Sequence, residues 1–79
     1  MVADIYAEAR SLERDLDARG MHEWSQRIED VIAGGSTSTE ILMGLRWTLD
    51  QLLNSLPNLD ADVAGRIRQL LTALNELLR

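Results

Sequence analysis

Ser38-Thr39-Glu40-Ile41-Leu42-Met43-Gly44-Leu45-Arg46-Trp47-Thr48-Leu49-Asp50-Gln51-Leu52-Leu53-Asn54-Ser55-Leu56 carries the heaviest apolar periodicity of this 79-residue chain. Leu42, Leu45, Leu49, Leu52 and Leu56 recur at steps of three and four. At 100° per residue that gathers them within about 80° of one another on a helix, and Leu53 widens the stripe. The same register sends Met43 and Trp47 more than about 90° from the stripe's centre, one turn apart, with Gly44 beside them. A helix over 38–55 is therefore predicted, with one face for a core and a second apolar feature on its back.

The flanking sequence supplies the boundaries. Gly34-Gly35-Ser36-Thr37-Ser38-Thr39 is the one clear break in the chain, and Thr37 followed by Glu40 reads as a capping box. Leu56-Pro57-Asn58 ends the helix, because a residue before proline is pushed out of the helical region. Asp60 then caps a helix over about 61–78, with Val63, Ile67, Leu70, Leu74 and Leu77 inward and Leu71 and Leu78 beside them. Toward the N-terminus, Val2, Ile5, Ala9, Leu12 and Leu16 share one face of a helix over about 2–19. Asp15–Arg19 and Arg14–Asp17 are spaced to pair along it. Gly20 suits the left-handed position that closes a helix. A further helix over about 22–33 turns Trp24, Ile28, Val31 and Ile32 inward together with the preceding Met21, supported by a Glu23–Arg27 pair. The expectation is one all-α domain over 1–79, a small four-helix bundle in which a helical hairpin packs on two longer antiparallel helices.

Composition agrees and removes most chemistry. Fourteen Leu, five Ile, three Val and no Phe suit helices better than a β-sandwich. Thirteen acidic residues face eight Arg and no Lys, for a net charge of −5, so a basic face for nucleic acid is not expected. The acids are uneven. Residues 1–33 hold eight of them against four Arg, and residues 34–79 hold five against four. The acidic first half favours basic protein partners over anionic membranes. Without Cys there are no disulfides and no thiolate chemistry, and a single His leaves no zinc ligand set. No apolar run approaches the roughly 20 residues needed to span a bilayer. Met1-Val2-Ala3-Asp4 lacks the marks of a signal peptide, so a cytoplasmic protein is expected. No catalytic residue, cofactor or metal is predicted.

Four features remain as candidate sites. The Gly34–Thr39 run opens a helix as a phosphate cradle does, but the P-loop pattern requires a Lys and capping explains it sufficiently. His22 beside Glu23 has neither a cleft nor a third catalytic group in view, so a capping or packing role is expected. Asp4, Glu8 and Asp15 share one outer face of the first helix, ordinarily a solvated face and alternatively a dock for a basic partner. Met43 and Trp47 need a second contact surface. Coverage by the first hairpin, through Tyr6 or Trp24, is the leading expectation, since the third helix reads as central in the bundle. Left uncovered, the pair forms a patch of the kind that marks interaction sites, with Arg46 close by and Asp50 one turn along.

Residues 34–47, preceded by Gly20-Met21-His22-Glu23-Trp24, resemble a group of short bacterial all-helical proteins with no assigned activity, some of which are similar to immunity partners of secreted toxins. The resemblance covers roughly residues 16–56 and implies a bacterial source and a binding role. It transfers no functional residue. The leading functional expectation is a small acidic protein-binding module, an immunity or inhibitor protein that occludes another protein, with basic partners favoured. The alternatives are a structural helical bundle that assembles as a homodimer and a phage-type acidic inhibitor of a nucleic-acid-binding protein. For the last of these a net charge of −5 is modest.

Overall fold

A computed structural model describes residues 4–56 and 58–79. Among them are four helices, α1 (Ile5–Ala18), α2 (His22–Gly34), α3 (Ser38–Ser55) and α4 (Ala61–Leu77). Each helix packs on the next in sequence and α4 closes back on α1, while the diagonal pairs do not adjoin. The result is an up-and-down four-helix ring, with the shorter α1–α2 hairpin set against the longer α3–α4 pair.

The predicted stripes meet at the centre. Leu45, Leu49 and Leu52 of α3 are buried with Leu12 and Leu16 of α1, Ile28 of α2, and Val63, Ile67 and Leu74 of α4. Met21, Trp24, Val31, Ile32, Leu42, Leu53, Leu56 and Leu71 pack around them half-buried. Leu77 departs from expectation. It lies on the apolar stripe of α4 yet is 52% exposed. Ile5, at the start of α1, shares a cleft with Leu70 and Ala73, so Leu77 projects past that level. Thr48 and Ser25 are buried although polar, and no buried side-chain polar atom among the described residues lacks a hydrogen-bond partner.

The helix ends follow local chemistry. Helix α1 begins at Ile5 rather than near residue 2, because Asp4 is its extended N-cap and its carboxylate accepts the N–H groups of Tyr6 and Ala7. Val2 and Pro57 lie outside the described residues. At the far end Gly20 takes φ +81°, and the Met21 and Gly20 amides donate to the Leu16 and Asp17 carbonyls. That six-to-one and five-to-two pattern is a Schellman closure, which favours glycine at the left-handed position. The capping box of α3 forms by half. Thr37 Oγ1 accepts from the Glu40 amide, but the Glu40 carboxylate takes the Ser36 N–H instead of that of Thr37. Helix α2 runs one residue further than expected, to Gly34, and α4 stops one residue earlier, at Leu77.

Ion pairs stitch α1 to both neighbours. Arg10 bridges Glu13 on its own helix and Glu29 on α2. Arg66 of α4 holds Asp15 at 3.1 Å and the Ser11 hydroxyl at 3.1 Å. Arg19 reaches Asp15 along α1 and Asp60 at the mouth of α4. The anticipated Arg14–Asp17 pair does not form; Asp17 lies instead against His22 Nδ1, across the Gly20 turn. Arg19 and the Asp62 amide, both donating to Asp60, hold its carboxyl below the ordinary value of 3.8.

Two outcomes follow from these contacts. A group held more acidic in the folded state contributes stability above its unfolded pKa and loses it as the pH falls through the folded one. Asp60→Asn keeps the cap but not the charge. The wild type should therefore be more stable than this variant at neutral pH, and the gap should close in urea titrations run well below pH 3.8. A gap of equal size at both extremes would refute the linkage. The second outcome concerns Gly44, where an added Cβ would lie 2.8 Å from Val31 Cγ1. Gly44→Ala improves helix propensity by about 1 kcal/mol, but overpacking against a stiff β-branched neighbour costs about 1–3 kcal/mol. The variant should be the less stable of the two, whereas the same change made in a Val31→Ala background should stabilise. Chemical unfolding of the four proteins in that cycle checks both signs.

Candidate interaction surface

Met43 and Trp47 are the largest apolar side chains that the bundle leaves out. Met43 is 49% exposed and Trp47 63%. The expected cover is missing for a topological reason. In a four-membered ring no helix is central, so α1 with Tyr6 lies diagonally across from α3 and neighbours only α2 and α4. Trp24 is occupied on α2, half-buried against the core, with the Arg27 guanidinium 4.5 Å above its ring. Arg27 in turn pairs with Glu23 at 2.7 Å.

Trp47 stands on a ridge between two grooves of nearly equal size. The first, about 390 Å³, runs between α3 and α4 and is lined by Met43, Arg46, Trp47, Asp50, Leu71 and Asn75. The second, about 400 Å³, runs between α2 and α3 and is lined by Arg27, Asp30, Val31, Gly44, Trp47 and Thr48. Gly44 brings Val31 close to the backbone of α3, which sets the depth of the second groove. Met43, Arg46, Trp47 and Asp50 are thus brought together as one surface. Among the described residues neither Arg46 nor Asp50 forms an ion pair; the Arg46 guanidinium only approaches Asn75 Oδ1, at 3.5 Å. They are spaced i, i+4 with the base first, the weaker order for a helical pair.

The acidic candidates on α1 are not gathered into a free face. Asp4 is consumed as a cap, and Asp15 is neutralised between Arg19 and Arg66. Glu8 borders a cleft of about 160 Å³ with Ile5, Arg66 and Leu70. Glu8 and Asp15 therefore border α4, while Asp4 stays exposed at the start of α1. The arginine that engages Asp15 from α4 lies 51 residues away in sequence.

The remaining features are local. The helix start after Gly35 already holds the Glu40 carboxylate, which competes with any external anion. Gly35 itself serves close packing, since a Cβ there would collide with Ile41 Cγ1. His22 and Asp17 sit in open solvent, and among the described residues no hydroxyl is hydrogen-bonded to that pair. No group of three His, Asp or Glu among those residues could hold a metal ion. No helix among them is long and apolar enough to cross a membrane.

Comparison with protein-family models, with curated proteins and with solved structures finds no match to this chain.

Proposed function

We propose that this chain is a small protein-binding module of the inhibitor or immunity type, acting in the cytoplasm by laying the outer face of α3 over a partner protein. The observation that carries this reading is the exposure of Trp47 on a ridge between two grooves. Water contact by a tryptophan and a methionine on adjacent turns has no packing purpose inside the bundle. Trp, Met and Arg are also the residues enriched in protein–protein contacts, where a central aromatic commonly dominates the affinity. The net charge of −5 adds long-range attraction for a basic partner and speeds encounter without defining the contact.

The geometry gives less support to the reading in which acids stand in for nucleic-acid phosphates. Asp15 is already paired and Asp4 already capped, so α1 presents fewer free carboxylates than its sequence counts.

Parallel affinity capture from lysate of the source cell tests the proposal, using tagged wild type and tagged Trp47→Ala. The wild type should retain a protein at near-stoichiometric yield, and the variant should lose it by about tenfold or more. Retention of the same protein by both baits would remove the α3 face from the account.

A further inference from the structure

The charges around Trp47 alternate in sign. On the α4 side of the ridge, Arg46 lies toward the N-terminus of α3 and Asp50 toward its C-terminus. On the α2 side the order is reversed. Helix α2 runs antiparallel to α3 with Val31 over Gly44, which puts Asp30 level with the N-terminal side of Trp47 and Arg27 level with the C-terminal side. The four charged residues that line the two grooves sum to zero on a chain of net charge −5, with Arg27 also engaged by Glu23 from its own helix.

We infer that this face is self-complementary and that the free chain pairs with a second copy of itself across Trp47. The inference rests on the reading that the outer face of α3 binds protein, and it names the occupant in the absence of any other. A two-fold contact brings the same patch of both copies together, so each charge must meet an opposite charge of the same patch. An axis lying across α3 at Trp47 does this twice over. It sets Arg46 of one copy toward Asp50 of the other, and Arg27, shared with Glu23 of its own helix, toward Asp30, with the two α3 helices antiparallel. The two tryptophans then cover one another at the axis, while each Met43, one turn or about 6 Å away along α3, lies over the turn of the other copy that follows its Trp47. Arg46 and Asp50, which form no ion pair among the described residues, each gain an oppositely charged partner. Repulsion between two acidic chains acts over longer range and is screened beyond about 10 Å at 0.1 M salt. Self-pairing and capture of a foreign protein become mutually exclusive, so the dimer is a masked form of the binding surface.

Analytical ultracentrifugation of the purified chain over a concentration series, in about 0.1 M salt, tests this with three variants. The wild type should show a concentration-dependent monomer–dimer equilibrium. Trp47→Ala should raise the dissociation constant about tenfold or more. Arg46→Asp alone and Asp50→Arg alone should each be monomeric, because the two-fold then opposes like charges, while an equimolar mixture of the two should form a heterodimer. Circular dichroism should show unchanged helicity, since all three positions border solvent. A wild type that stays monomeric throughout, a dimer indifferent to Trp47→Ala, or a mixture that fails to pair would each overturn the inference. A monomeric wild type whose capture of a foreign protein still depends on Trp47 would overturn it while leaving the proposed function standing. Indifference of both dimer and capture to Trp47→Ala would remove both.

Discussion

Burial of one leucine stripe on α3 governs this molecule. Leu45, Leu49 and Leu52 are almost completely withdrawn from water and touch a core to which all four helices contribute. Once that face is turned inward, the 100° step of the helix leaves no freedom over what lies opposite. Trp47 must point out of a ring in which α3 has neighbours on its two flanks and none on its back. The exposed tryptophan is therefore a consequence of core packing. Its identity as tryptophan, at a position 63% exposed and outside the core, is what calls for a function.

The same ring decides what the charges are for. With each helix adjoining two others, residues at the edge of the core stripe face across seams, and three of the eight arginines are spent there. Arg10, Arg19 and Arg66 tie α1 to α2 and α4, and they take Glu29, Asp60 and Asp15 with them. These contacts are partly exposed, so their worth lies in setting register between helices more than in stability. Beside Trp47, Arg46 and Asp50 form no ion pair among the described residues, and one charge of each sign suits a contact surface better than an extended acidic face would.

The elements that decide the fold were legible from spacing alone. The limits of α3, the inward residues of α1, the left-handed Gly20 and the Asp60 cap follow from rules acting within one or two turns. The features that were not legible depend on contacts distant in sequence. Nothing near Asp15 announces Arg66, and nothing near Leu77 announces that α1 begins at Ile5, below its level. The Asp4 cap had a local signal, an Asp before an apolar-periodic run, which the apparent continuation of the stripe to Val2 concealed. For the candidate surface, sequence placed Met43, Arg46, Trp47 and Asp50 on adjoining turns of one helix. It erred in treating α3 as central, which requires knowing that the helices close into a ring. Arg27 and Asp30 reach the same surface from α2, and periodicity on α3 had no means of including them.

The central claim is that α3 has two faces with separate purposes, one holding the fold and the other free of it. Equilibrium urea unfolding of Trp47→Ala beside Leu49→Ala, in solution dilute enough that self-association adds nothing to stability, addresses it most directly. Leu49→Ala should cost about 2–5 kcal/mol, enough to threaten folding in a domain of this size. Trp47→Ala should stay within about 0.5 kcal/mol of the wild type. A loss of about 2 kcal/mol or more from Trp47→Ala under those conditions would mean that the tryptophan is part of the core, and the account would be wrong.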